Sequence, residues 1–278
     1  MTRVHGTCRR LLAALLCPLA LVVGGTTTSA YAQPVPAEAR NGVSYAALGD
    51  SVSSGQGAGS YDPSSPQCLR SARAYPALWA ARHHPDRFLF AACSGATTSD
   101  VINKQLPGVK QGVTLVSITA GVNDIGLRDV LTACTLGGDQ ICLDHVARAR
   151  TAVERTLPAR LDAVYRAIRE RAPRARVVVL GIPRPFTQDG CPMGLMTGRS
   201  ERALNEAAVR VNAVTRERAL AHGLAFGDVV PAFTGHEICS GHPWIGGLSL
   251  LHPDGAYHPN EAGQHGGYLP VLDAVAGQ

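Results

Sequence analysis

Apolar residues follow two rhythms along this chain. Short apolar runs, each closed by glycine, proline or a polar turn, alternate with longer stretches in which apolar side chains recur every three or four residues. The first rhythm marks buried strands and the second amphipathic helices. Residues 43–48 run into Gly49-Asp50 and predict a first strand, and residues 88–92, 113–119, 176–180 and 224–229 predict four more. Helices are predicted over 74–83, 144–171, 200–222 and 261–276. In the second of these, Val146, Val153, Leu157, Leu161, Val164 and Ile168 share one face, and Pro158 should kink or divide it. The third is expected to start at a Ser200 cap and stop before Gly223. Strands alternating with helices predict an α/β fold, a parallel sheet covered on both faces. Stretches rich in Gly, Pro and Ser at 55–70, 185–199 and 235–257 fall where loops leave the strands, and such loops hold the ligands of open α/β sheets.

The first thirty or so residues follow neither rhythm. Arg3, Arg9 and Arg10 precede an apolar run over 11–23, and Ala30-Tyr31-Ala32 fits a small-residue cleavage signal. The run is shorter than the ~20 residues that span a bilayer. Residues 1–32 are therefore expected to be a secretory signal peptide cut before Gln33, and 33–278 one catalytic domain. Cys17 has no small residues before it, which disfavours a lipid anchor, and Arg9-Arg10 is weak support for twin-arginine over general export. The formal charge of +5 falls to +2 once the three leader arginines are removed, so no nucleic-acid partner and no stable membrane insertion are expected. Two of the 8 cysteines lie in the leader. The other six, Cys68, Cys93, Cys134, Cys142, Cys191 and Cys239, are even in number in an exported chain and predict three disulfides, among 15 possible connectivities. None has the C-x-x-C spacing of a zinc knuckle, and no metal or cofactor is expected.

Against this frame four segments carry chemistry. The first strand ends in Gly49-Asp50-Ser51-Val-Ser53-Ser-Gly55, a turn that presents Ser51 above the sheet edge with its own N–H free. An Asp-Ser pair is also a good helix N-cap, and Ser53 stands where the Gly-x-Ser-x-Gly nucleophile elbow needs glycine. Gly95, in Ala-Ala-Cys-Ser-Gly-Ala-Thr after the second strand, lets a backbone N–H approach a ligand. Asn123, in Gly121-Val-Asn-Asp124 after the third, offers a side-chain N–H₂ to developing negative charge. His258, in Gly255-Ala-Tyr-His-Pro-Asn, supplies a base with a near-neutral pKa just before the last helix. Each residue alone also fits an ordinary turn, cap or surface position. Their order along one chain changes the weight.

Gly49-Asp50-Ser51, Gly95, Gly121-x-Asn123-Asp124 and His258-Pro259 together resemble the SGNH hydrolase superfamily, the GDSL esterases and lipases, over nearly the whole chain after the leader. The flanking residues are most similar to its extracellular actinomycete members. The resemblance implies a three-layer α/β/α sandwich of five parallel strands, flavodoxin-like in layout. It implies Ser51 as nucleophile and His258 as base in ester hydrolysis through an acyl-enzyme. The oxyanion would be held by the N–H groups of Ser51 and Gly95 and the amide of Asn123. With sequence order, it also implies the pairs Cys68–Cys93, Cys134–Cys142 and Cys191–Cys239. One position departs from the pattern. Family members usually carry the acid three residues before the histidine, where this chain has Gly255, and Asp254 lies four before. Either Asp254 still reaches the imidazole, or a main-chain carbonyl near Gly255 orients it.

The expected partner is a small-molecule or lipid ester, and a monomer is expected. Two other readings compete: a carbohydrate acetyl esterase, and a secreted binding protein that lost turnover on the same scaffold. An aromatic content of 5% is low for a polysaccharide groove, and every catalytic position is filled.

Overall fold

The computed structural model describes residues 42–191, 194–249 and 251–277. The expected signal peptide lies outside them. Five parallel strands, β1 (Ser44–Gly49), β2 (Arg87–Phe90), β3 (Leu115–Thr119), β4 (Arg176–Leu180) and β5 (Ala225–Gly227), form one sheet in the order β2-β1-β3-β4-β5. The switch from leftward to rightward progression falls at β1, so the crevice beyond its carboxyl end is the natural ligand position. Helices α1 (Ser51–Ser54), α2 (Tyr75–His83), α3 (Thr98–Asp100), α4 (Leu127–Leu136), α5 (Gly138–Arg155), α6 (Leu157–Arg171), α7 (Gly198–Ala221), α8 (Val230–Phe233) and α9 (Leu269–Ala276) connect and flank the strands.

Alternation along the strands divides the core in two. Ala46, Leu48, Val116, Ile118, Val177 and Val179 face α6 and α7, meeting Leu157, Leu161, Val164 and Ile168 of α6 and Val211 and Val214 of α7. Tyr45, Ala47, Val178 and Leu180 face the other way, toward Tyr75 and Trp79 of α2 and Leu269 and Leu272 of α9. Each of the larger aliphatic side chains so buried contributes about 1.5–3 kcal/mol. The result is the α/β/α sandwich expected from the sequence.

Several boundaries moved, each for a local reason. Pro158 divides the predicted long helix, standing in the first turn of α6, where its missing N–H costs nothing. The preceding half begins earlier than expected, at Gly138, and α4 was not anticipated. Thr197, not Ser200, caps α7, its side chain accepting from the Ser200 N–H. Strand β2 stops at Phe90 because the N–H groups of Ala91 and Ala92 both turn to the Ala47 carbonyl (2.9 and 3.1 Å). The last helical stretch passes through a π-helical segment, Gly263–Tyr268, before α9. Pro270, in the first turn of α9, cannot donate to the preceding turn. Disulfides join Cys68 to Cys93, Cys134 to Cys142 and Cys191 to Cys239. The first ties the loop after α1 to the loop after β2, where the Ser94 N–H also donates to the Cys68 carbonyl (3.0 Å).

Candidate active site

The turn that carries Ser51 is built by close backbone approach. Gly49 sits at φ +120°, and a Cβ there would lie 2.2 Å from the Thr119 carbonyl oxygen of β3, so only glycine fits. The Asp50 N–H donates to that carbonyl (3.0 Å). The Asp50 side chain caps α1, accepting from the Val52 N–H (3.1 Å) and the Thr119 hydroxyl (2.7 Å). Asp50 is the helix cap, and Ser51 follows as the first helical residue. Burial pushes the Asp50 carboxyl up to about 6, against the pull of those hydrogen bonds.

Polar side chains that the sequence did not single out lock this turn. Gln105 accepts from the Gly49 N–H and donates to its carbonyl, each at 2.8 Å. The Ser53 hydroxyl, where an elbow motif would have glycine, contacts the hydroxyls of Tyr75 and Thr119 at 2.8 Å and accepts from the Thr119 N–H (3.1 Å). Gln264 accepts from the Tyr75 N–H (2.9 Å) and donates to the Val52 carbonyl (3.0 Å). All of these side chains are buried. The one available signal was Thr119, a polar residue closing the mainly apolar run of β3.

The His258 imidazole meets this turn from the loop before the last helix. Its Nε2 lies 2.8 Å from the Ser51 Oγ, and its Nδ1 lies 2.8 Å from the Ala256 carbonyl oxygen. A carbonyl can only accept, so Nδ1 carries the proton and Nε2 is left to accept from the serine. The ring keeps a solvent-facing edge but is largely enclosed, and loss of hydration lowers its pKa below 6.5; the Ala256 hydrogen bond opposes this. The carbonyl on the ring is one residue beyond Gly255. Asp254 does not reach the imidazole: its carboxylate accepts from the Tyr61 hydroxyl, and its main-chain carbonyl from the Gln56 side-chain amide (2.9 Å).

Gly95 and Asn123 flank the serine from the ends of β2 and β3. Gly95 has φ +75°, with open space where a Cβ would stand. Among the described residues, the N–H groups of Ser51 and Gly95 find no protein acceptor. The Asn123 amide donates one hydrogen to the Ala96 carbonyl (2.9 Å), which orients the group and leaves its second hydrogen available. Asp124 ties the two loops together by accepting from the N–H and hydroxyl of Thr98 (2.9 and 2.7 Å). Ser51, Gly95, Asn123 and His258 all open onto a cavity of about 770 Å³. Its remaining wall is mostly aliphatic and includes Val122, Ile125, Val130, Leu204, Val211 and Ile245. Arg128 and Arg150 also line it.

Residues 47–265 match the model of the GDSL-like Lipase/Acylhydrolase family. A lipase of Streptomyces rimosus is 51% identical over 263 residues, covering 94% of this chain and 96% of the relative. The crystal structure of an extracellular lipase from Streptomyces rimosus superposes with a TM-score of 0.81 at 54% identity, over 84% of this chain and 99% of that one. A phospholipase A1 from Streptomyces albidoflavus superposes with a TM-score of 0.83 at 50% identity, over 84% of this chain and 100% of that one.

Proposed function

The chain belongs to the GDSL-like lipase/acylhydrolase family and is a carboxylic ester hydrolase; from that premise we propose that Ser51 is its nucleophile and His258 its general base, acting on acyl esters of lipids. One observation carries this reading: the Ser51 Oγ lies 2.8 Å from the His258 Nε2 at the wall of a large apolar cavity. As Ser51 Oγ attacks the ester carbonyl carbon, its proton passes to Nε2. The carbonyl oxygen gains the negative charge and takes hydrogen bonds from the Ser51 and Gly95 N–H groups and the free hydrogen of Asn123. The imidazolium then returns the proton to the departing alkoxide, leaving an acyl-enzyme on Ser51. Water, deprotonated by His258, releases the acid and regenerates the serine. The Ala256 carbonyl takes the orienting place that a carboxylate holds in a triad, which makes the pair a dyad supported by main chain.

The aliphatic lining suits an acyl chain better than a sugar, which favours lipid esters over a carbohydrate deacetylase. A phospholipid substrate is a second reading, favoured by Arg128 and Arg150, which bring two permanent positive charges to the cavity wall where a phosphate would be welcome. Export is part of the proposal, supported by the leader-like first residues and three disulfides. No helix among the described residues is long and apolar enough to cross a membrane. The test is hydrolysis of p-nitrophenyl esters of increasing acyl length, alongside a phosphatidylcholine assay. Ser51→Ala should lose on the order of 10⁶ in turnover while keeping its circular dichroism spectrum. A folded variant with substantial turnover would remove Ser51 from the role.

A further inference from the structure

The two halves of the site lie on loops far apart in sequence, and one half-buried side chain spans them. Gln56 lies just past Gly55, the C-cap of α1, its N–H donating to the Ser51 carbonyl (3.0 Å). Its side-chain oxygen accepts from the Ser94 hydroxyl (2.5 Å), next to Gly95, and its amide nitrogen donates to the Asp254 carbonyl (2.9 Å), in the turn that leads to His258. Both ends of the amide are thus used, and the two partners fix which end is oxygen and which nitrogen. Beyond it, Gly57 lies so close to His258 that a Cβ would stand 3.0 Å from the histidine Cβ, so the strand of loop carrying Gln56 packs directly on the base. The Gly57 N–H donates to the Tyr61 hydroxyl (2.9 Å), and that hydroxyl donates to the Asp254 carboxylate.

We propose that Gln56 is a positioning residue that holds the Gly95 loop and the His258 loop in register with Ser51, gripping the second loop at the Asp254 main-chain carbonyl. The inference rests on the assignment of Ser51, Gly95 and His258 made above. A water-filled gap could satisfy the Ser94 hydroxyl and the Asp254 carbonyl separately, but it would not fix the distance between them. Misplacement of a reacting group by about 1 Å can cost on the order of 10²-fold. A strut is therefore expected to act on turnover and not on ground-state affinity. Gln56 also borders the cavity, so direct contact with substrate is the competing role. Such contact would be seen in KM.

The experiment compares Gln56→Met, which keeps length and removes both hydrogen bonds, with Ser94→Ala, which cuts only the Gly95 end. Both are assayed on a short soluble p-nitrophenyl ester, with Ser51→Ala in parallel. Gln56→Met should lower kcat about 10-fold or more, with KM within about 2-fold and Tm within about 3 °C. Its acid limb should move to higher pH, because the freed histidine loop regains hydration; Arg128 and Asp254, the charged groups that act on His258, are unchanged in either variant. Ser94→Ala should lower kcat without moving that limb. The double variant should be no slower than Gln56→Met, since both changes break one strut. Wild-type kcat in a folded Gln56→Met, or a loss confined to KM, would overturn the proposal. Should Gln56→Met fail to fold, wild-type kcat in Ser94→Ala would overturn it equally. If Ser51→Ala remained active, the nucleophile assignment would fall instead.

Discussion

The serine and the histidine are held in opposite ways. Around Ser51, two glutamines, two hydroxyl side chains, a tyrosine and the Asp50 carboxylate form a buried network that reaches β3, α2 and the last helical stretch. Around His258, the ring rests on a single main-chain carbonyl, and its loop includes Leu251, which is 86% exposed, and Tyr257 at φ +60°. The difference shows how the site divides its work. The proposed nucleophile is set by the core, where any unsatisfied polar group is costly. The proposed base is set by local loop geometry that a handful of contacts must maintain.

The comparison can be broken at several points. On the serine side, Asn123→Ala should lower kcat on a chromogenic ester by about 10²–10³-fold, as loss of one oxyanion donor does elsewhere. A loss under tenfold would mean that the Ser51 and Gly95 N–H groups suffice. Glycine substitutions probe rigidity directly. Gly49→Ala forces a Cβ into the Thr119 carbonyl and should destabilise the protein by about 3 kcal/mol or more in urea denaturation. Gly255→Ala, whose Cβ would meet Gly57 Cα in ordinary contact at 3.8 Å, should cost less than about 1 kcal/mol. Equal costs at the two sites would erase the contrast. Asp254→Asn should keep at least about a tenth of wild-type activity, because the Ala256 carbonyl still orients the ring; in a carboxylate triad the equivalent change costs ~10⁴.

The smallest effect concerns pH. Burial disfavours the imidazolium, so His258 stays neutral, and able to accept a proton, further into acid than an exposed histidine. The acid limb of kcat/KM should therefore have its midpoint below 6.5. Activity is complete above that midpoint and is lost as pH falls through it. A limb at or above 6.5 in the wild type would show that the ring is hydrated and that the loop is looser than its geometry.

Much of the architecture was legible beforehand because each cue was local. A parallel strand buried on both faces must be a short continuous apolar run, and a helix packed on it must repeat every three or four residues; Val177 to Leu180 and the Leu157–Ile168 face show both patterns. The positions of Ser51, Gly95, Asn123 and His258 stood out for a related reason, since each lies at the end of a strand or just before a helix. The buried network was not legible. Gln105, Thr119, Tyr75 and Gln264 are ordinary residues in sequence, and only the packing of distant segments makes them partners.

By itself, then, the sequence determined the layered α/β fold and the family, through periodicity and a set of short motifs in fixed order. Tertiary structure alone decided what faces His258. Along the chain, Asp254 is only four residues away and looks like the natural partner. In space, the turn through Gly255 and Ala256 points the Ala256 carbonyl at the ring, while the Asp254 carboxylate turns to Tyr61, 193 residues earlier. Sequence spacing fixes how far two groups can be apart, but the backbone angles of a loop decide which atom faces which, and those angles are set by contacts from elsewhere in the fold.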